Sequence, residues 1–139
     1  MLWTCRIELE PMGKQRPRIA KRGAYARAYT PPKTAQWEKD AATIMKAFWR
    51  RPPLTGAVRV VVRAYRSRSQ YMQAEKRREL TICTSKPDVD NVAKIVLDSM
   101  VKARVLDDDN QVVQLECSKQ WAPYGQPGRV EVDLFAVVE

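Results

Sequence analysis

The segment that decides the fold is KPDVDNVAKIVLDSMVKARVLDDDNQVV, which covers residues 86–113. Its apolar residues recur at helical spacing and share one face, which holds Val92, Ile95, Val96, Met100 and Ala103. This pattern predicts a helix over residues 89–103, and the apolar stretch that follows predicts a strand over residues 111–120. Acidic residues stand at both ends of the predicted helix, where the chain passes from one element to the next.

Further strands and one more helix are predicted on either side of this segment. Residues 1–10 alternate between apolar and polar side chains, as in a strand with one buried face. A helix is predicted from Thr34, a plausible N-cap, to about Trp49, before Pro52–Pro53 end it. The remaining strands are predicted at residues 57–66, 80–84 and 129–138. The sequence therefore predicts a single domain over residues 1–139 of the α+β (mixed α/β) class, in which two main helices cover one mixed sheet of about five strands.

The stretch between the first strand and the first helix, residues 11–33, is predicted to be a long basic loop with a short hairpin around Gly23. Loops this long inside a small domain often carry function. Tyr25 and Tyr29 are interleaved with cations, a mixture that can contact phosphates and stack on bases. We therefore expect this loop to bind DNA, while a solvated loop without a partner is the alternative. Its candidate DNA-binding residues are Lys14, Arg16, Arg18, Lys21, Arg22 and Arg27.

Charge is unevenly distributed along the chain, whose formal net charge is +9. Residues 1–86 hold 20 Lys and Arg against 6 Asp and Glu, whereas residues 87–139 hold 5 against 10. A basic body beside an acidic patch is typical of a nucleic-acid enzyme, in which cations hold phosphates and carboxylates hold a metal. A basic protein with a solvated acidic face is the alternative. Because no signal peptide is recognisable and no apolar run reaches the roughly 20 residues of a membrane span, we expect a cytoplasmic protein with no membrane partner.

The sequence contains no histidine, and this excludes several classes of enzyme. Ser-His-Asp and Cys-His catalysis, nucleases with a histidine-bound metal and ordinary zinc hydrolases all need an imidazole. The three cysteines, Cys5, Cys83 and Cys117, are too far apart for a Cys-x-x-Cys motif. Each falls in a predicted strand and is expected to be a buried thiol. Hydrolytic chemistry in this chain therefore needs carboxylates, lysine or a carboxylate-bound metal.

Carboxylates at the two ends of the predicted helix are candidates for such a metal site. Asp88 and Asp90 are two residues apart, and in extended geometry both point to the same side. The run Asp107–Asp109 precedes the next strand, and Mg²⁺ favours oxygen ligands of this kind. Lys94, one helical turn beyond Asp90, can place a positive charge near a phosphate. Structural alternatives remain open: an aspartate cap at the helix start, a surface ladder of ion pairs (Asp90, Lys94 and Asp98), and a turn at residues 107–110.

In these residues the chain resembles the RusA-like Holliday junction resolvases of bacteria and phages. The family pattern Asp-x-Asp-Asn-x-x-Lys is matched at Asp88–Lys94, the internal helical Asp at Asp98, and apolar-x-Asp-Asp-x-Gln-Val at Leu106–Val112. Two N-terminal stretches are also similar to those of phage members: Lys-x-Arg-Pro-Arg at Lys14–Arg18 and Ala-Tyr-Thr-Pro at Ala28–Pro31. The resemblance covers most of the chain in order and implies a RusA-like fold, with a catalytic segment at residues 86–112.

The resemblance also implies roles for individual residues. Asp88, Asp90 and the second Asp of the family's Asp-Asp pair would be the metal ligands, and Lys94 the essential lysine. Counting back from Gln111 identifies that second Asp as Asp109. A slip of one residue would place the ligand at Asp108 instead, and this alternative stays open.

The cofactor and partners implied by the resemblance are Mg²⁺, for which Mn²⁺ can substitute, branched DNA and a second copy of the chain. A homodimer has two identical sites, which is the geometric requirement for paired nicks in a four-way (Holliday) junction. One departure from the family pattern is Arg104, because the family usually has Gly at the end of the catalytic helix. A bulkier residue in a left-handed turn costs about 1 kcal/mol. Arg104 would either alter the turn that presents Asp109 or contact DNA.

Two other functions remain alternatives. The first is a DNA-binding accessory protein that keeps the fold but does not cut. The intact set of carboxylates argues against it, because without a metal these charges repel DNA. The second is a metal-dependent nuclease that acts on flaps or other branched DNA. It would use the same site, so that only substrate preference separates it from a junction resolvase.

Overall fold

The computed structural model describes residues 1–16, 18–23, 25–29, 31–74 and 81–139, and of these it gives the backbone alone at positions 18, 22, 25, 27, 73 and 74. Its elements in chain order are β1 (Trp3–Ile7), β2 (Arg18–Arg22), β3 (Tyr25–Tyr29), α1 (Pro32–Trp49), β4 (Val58–Arg66), α2 (Gln70–Ala74), α3 (Val89–Lys102), a short 3₁₀ helix (Asp109–Gln111), β5 (Val112–Trp121) and β6 (Arg129–Ala136).

Four strands form the main sheet, in the spatial order β1–β6–β4–β5. β6 lies antiparallel to both β1 and β4, whereas β4 and β5 are parallel and are joined by a crossover that contains α3. β2 and β3 form a separate antiparallel hairpin around Gly23. The α+β class, the mixed sheet, the two main helices and this hairpin are therefore confirmed.

The core lies between the main sheet and the pair α1 and α3, which pack against each other. Alternate residues of β4 and β6 share the buried face, as the period of two in a strand requires. The apolar stripe of α3 is buried as its spacing predicts, with Val92, Ile95, Val96 and Met100 wholly inaccessible. Its charged residues are consequently turned away from the core, whereas Ser99 is buried and donates a hydrogen bond to the carbonyl of Ile95 (2.7 Å). Among the described residues, no helix has the length and apolarity needed to cross a bilayer.

The start of α1 differs from the prediction. The helix begins at Pro32 with Pro31 at the N-cap position, so Thr34 is not the N-cap. Proline suits the first turn because the N–H group that it lacks would have no partner there. Thr34 instead lies on the buried stripe of α1, and so does Glu38. The helix ends at Trp49, just before the two prolines.

The strand predicted over residues 80–84 is not found in the part of it that the structure describes, residues 81–84. Ile82 forms only an isolated bridge with Gln120, so over the described residues the main sheet has four strands where about five were predicted. Cys83 turns inward and is buried, and bends at residues 85–87 carry the chain away toward α3. The segment is thus too short and too bent to extend the ladder beyond one pair.

The three cysteines are free thiols, and their burial is largely as predicted. Cys5 in β1 and Cys83 are buried, whereas Cys117 in β5 is half-buried. Cys83 lies outside any strand, which corrects the prediction that each cysteine belongs to one. Burial raises the pKa of both Cys5 and Cys117 to about 11. Both thiols are therefore protonated and unreactive at neutral pH.

Candidate active site

Asp88 and Asp90 line a wide cleft of about 1240 Å³. The cleft lies between the stretch of residues 10–16, the turn that follows β4 and the entry to α3. Among the described residues, one further carboxylate, Glu10, and five cations line it as well: Lys14, Arg16, Arg66, Arg68 and Lys86. The two carboxylates thus face an excess of positive charge, an arrangement that suits a phosphate-bearing ligand with a cation between phosphate and carboxylate.

The backbone at the start of α3 explains why both carboxylates are accessible. Asp88 has an extended conformation (φ −69°, ψ 145°) at the N-cap position, and its side chain forms no capping hydrogen bond. Asp90 lies in the first turn, on the face opposite the apolar stripe, and is exposed. Within the described part of the chain, neither carboxylate has a hydrogen-bond or ion-pair partner. The interpretation of Asp88 as a side-chain cap is therefore wrong, and both groups have their oxygens available.

Lys94 lies between two carboxylates. Its Nζ is 3.4 Å from Asp98 Oδ1 and 3.5 Å from Asp109 Oδ2. The negative charge of Asp98, with a further contribution from Asp109, raises the pKa of Lys94 above its ordinary value. Lys94 is therefore a fixed positive charge at neutral pH. Of the predicted ladder along α3, the described structure contains the Lys94–Asp98 pair.

The run Asp107–Asp109 is shaped by a capping box. Asp108 accepts a hydrogen bond from the N–H of Asn110 (2.8 Å), and the Gln111 side chain accepts one from the N–H of Asp108 (3.0 Å). The Gln111 amide also donates to the carbonyl of Leu54 (2.8 Å), which ties this turn to the stretch before β4. Asp108 thus accepts a hydrogen bond in the cap, whereas Asp109 lies against Lys94.

The three candidate ligands do not gather at one point in the described structure. Asp109 lines a second hollow of about 390 Å³, which it shares with Glu38 and Asp98. No three His, Cys, Asp or Glu side chains among the described residues are placed to hold a metal together. Mg²⁺ is commonly bound by only one or two protein carboxylates, with waters and substrate phosphates completing its shell. The accessible oxygens of Asp88 and Asp90 fit that donor set, whereas Asp109 lies apart from them, against Lys94.

The predicted DNA-binding cations occupy different environments. Arg16 is exposed and lines the cleft, and Lys21 is exposed on the β2–β3 hairpin. Lys14, in contrast, is only 18% exposed, because its ammonium is held by Glu38 and Asp98. Burial alone would lower the pKa of Lys14, but hydrogen bonds to these two carboxylates outweigh it and raise the pKa. The side chains of the other three predicted cations, Arg18, Arg22 and Arg27, lie outside what the structure describes.

Two cleft residues had no assigned role in the sequence. Arg68 is 8% exposed, and its guanidinium stacks 4.1 Å above the ring of Tyr124 while its Nε donates to the carbonyl of Ala122 (2.8 Å). Arg66 lies over the ring of Trp121, at 5.5 Å. The sequence shows Arg66 and Arg68 two residues apart at the end of a predicted strand. It does not identify their aromatic partners, because these follow more than 50 residues later.

Comparisons with known proteins identify the family of the chain. The sequence model of a family described as Endodeoxyribonuclease RusA matches residues 8–134. The uncharacterized protein YqaN of Bacillus subtilis (strain 168) is 32% identical over 134 residues, which cover 92% of each chain. A crossover junction endodeoxyribonuclease, rusA of Lactococcus phage r1t, is 36% identical over 67 residues, or 48% of this chain and 49% of the phage protein.

Proposed function

Because the chain belongs to the RusA family of endodeoxyribonucleases, we propose that it is a Mg²⁺-dependent nuclease that resolves four-way DNA junctions by paired, symmetric nicks. The observation that carries this proposal is that Asp88 and Asp90 have no partner among the described residues and lie in a cleft whose described lining includes five cations. A protein that only binds DNA gains nothing from these two charges, since they repel phosphate unless a cation lies between.

The two aspartates of the cleft and the Lys94–Asp109 pair divide the work of phosphodiester hydrolysis. Asp88 and Asp90 would hold Mg²⁺, for which Mn²⁺ can substitute, and Asp109, which lies apart from them in the structure, would be the third ligand of the family pattern. When bound, the cation activates water and offsets charge on the phosphate. Lys94, protonated between Asp98 and Asp109, supplies a fixed positive charge for the phosphate or the leaving oxygen.

The basic side chains of the cleft supply binding and orientation. Arg16 and Lys86 are exposed at its rim, where they can reach phosphates on either side of the cut. Symmetric cuts in opposing strands need two identical sites, so the proposal includes a homodimer. Flaps and other branched DNA carry the same phosphates, and the assay must therefore compare substrates.

The test is cleavage of a labelled synthetic four-way junction, beside a flap and a linear duplex of matched sequence, with Mg²⁺ or with EDTA. We expect paired nicks confined to the junction that need Mg²⁺ and are lost in Asp90→Asn. Asp40→Asn is the matched control, because Asp40 is an exposed carboxylate on α1 whose described partner is Gln36 (2.8 Å). If the wild type binds the junction but does not cleave it, the proposed nuclease activity is refuted. Equal cleavage of the flap would refute the preference for junctions.

A further inference from the structure

Glu38 is a charged residue in the core of the molecule. It lies on the buried stripe of α1, near Ala41 and Met45, and only 2% of it is exposed. Its Oε1 contacts the ammonium of Lys14, and its Oε2 lies 2.7 Å from Nζ of Lys102. Buried carboxylates are rare unless paired, and an apolar residue of similar size often stabilises a core as well. The position of Glu38 therefore calls for a role beyond packing.

The ion pairs of Glu38 continue to the candidate active site. Lys14, which Glu38 holds, also lies 3.2 Å from Asp98 Oδ2. The other oxygen of Asp98 lies 3.4 Å from Lys94, and Lys94 lies 3.5 Å from Asp109. Positive and negative groups alternate along this chain of contacts, so each side chain from Glu38 to Lys94 is held on both sides by opposite charge, and Asp109 ends the chain.

Lys14 is fixed by its main chain as well as by its ammonium. Its N–H donates to the carbonyl of Asn91 (2.9 Å), in the first turn of α3. A Cβ added at Gly13 would lie 3.0 Å from Cβ of Asn91 and 3.1 Å from Cβ of Pro87, so the two segments are in close contact. The stretch that carries Lys14 is thus clamped between α1 and the entry to α3, beside Asp88 and Asp90.

We propose that Glu38 is a positioning residue, which acts through Lys14 and Asp98 to hold Lys94 beside Asp109. Without the Glu38 carboxylate, Lys14 keeps Asp98 as its one charged partner on the described side chains, and the Lys14 ammonium is free to turn. Asp98 then loses its fixed orientation, and with it Lys94 loses one of two anchors. The proposal depends on the proposed function only for the role of Lys94 beside a phosphate. The coupling of Glu38 to Lys94 does not depend on that function.

The first measurement follows the ammonium of Lys94 by ¹H–¹⁵N NMR, with its signal assigned by loss in Lys94→Arg. We expect the Lys94 signal to shift in Glu38→Gln and to stay unchanged in Asp40→Asn. Asp40 is the matched control because it lies on the same helix and outside the chain of contacts. An unchanged Lys94 signal in a folded Glu38→Gln protein would overturn the proposal. If Glu38→Gln does not fold, the same signal is measured in Lys14→Met, which leaves the Glu38–Lys102 pair in place. A shifted Lys94 signal then supports the proposal, and an unchanged signal overturns it.

The second measurement separates an effect on the cleavage rate from an effect on DNA binding. Under single-turnover conditions with Mg²⁺, we expect Glu38→Gln to cleave the four-way junction at least tenfold more slowly at unchanged junction affinity, since a misplacement of about 1 Å can cost on the order of 10²-fold. A rate equal to that of Asp40→Asn would contradict the proposal. If the wild type cleaves no DNA, the proposed function fails, and the NMR signal alone supports or overturns the role of Glu38.

Discussion

Replacing Arg104 by glycine is expected to stabilise the protein. Arg104 follows α3 with φ 62°, in the left-handed region, where an L-residue with a side chain pays about 1–2 kcal/mol that glycine does not. Against this, glycine gives the unfolded chain extra freedom worth about 0.4–1 kcal/mol. The ion pair with Asp107 is lost too, but at 3.8 Å between side chains that are 68% and 52% exposed it contributes little.

The balance for Arg104→Gly is a gain of roughly 0.5–1 kcal/mol, or about 2–4 °C in Tm for a chain of this size. The assay is urea and thermal unfolding of Arg104→Gly beside Arg104→Ala. The alanine variant loses the same ion pair but keeps the strained backbone, so the difference between the two variants gives the relief of the left-handed turn less the unfolded-state freedom of glycine. A glycine variant no more stable than the alanine variant would refute the reasoning.

Two further predictions concern stability and reactivity. Arg63 lies 2.7 Å from Asp133 and 3.3 Å from Glu131 on the open face of the sheet, and Arg63→Gln should cost about 1–2 kcal/mol at pH 7. The hydrogen bond from Arg63 lowers the pKa of Asp133 from its ordinary value of 3.8. Burial alone would raise the pKa of Glu131, but hydrogen bonds from Arg129 and Arg63 outweigh it and lower this pKa from its ordinary value of 4.5. The stabilisation by Arg63 is thus complete above the ordinary pKa values and is lost as pH falls through the lowered pKa values of the folded protein. In urea unfolding, the difference in unfolding free energy between wild type and Arg63→Gln should shrink below about pH 4. A difference that does not change with pH would contradict this. Because the pKa values of Cys5 and Cys117 are about 11, iodoacetamide should modify both thiols slowly at pH 8 in the folded protein and quickly in urea. Rapid modification of both thiols in the folded protein would refute that account.

The parts of the fold that the sequence predicts well are those that depend on neighbours along the chain. The bounds of α3 differ from the prediction by one residue, because every third or fourth position from Val92 to Met100 is apolar and nothing in the stretch breaks a helix. Asp88 and Asp90 lie together on the accessible side for the same local reason. Thr34 failed as a cap because it belongs equally to the buried stripe, and tertiary packing decided between the two positions.

Contacts between distant segments could not be predicted from the sequence. Lys14 looked like one more cation of a basic loop, yet Glu38, which turns its ammonium inward, lies 24 residues further on. Glu38 itself interrupts an apolar stripe at helical spacing, a signal that indicates burial but not which cation meets it. The separation of Asp109 from the other two aspartates is likewise tertiary, because it depends on where the crossover sets α3 against β5.

The position of β6 has a consequence for how each copy of the protein is made. Although β6 is the last strand along the chain, it lies between β1 and β4 and joins them. A nascent chain that stops before Arg129 has β1 with no partner in the main sheet and β4 with only one neighbour. Such long-range pairing forms late and slowly. The sheet against which α3 packs therefore gains its last strand only once residue 136 has left the ribosome.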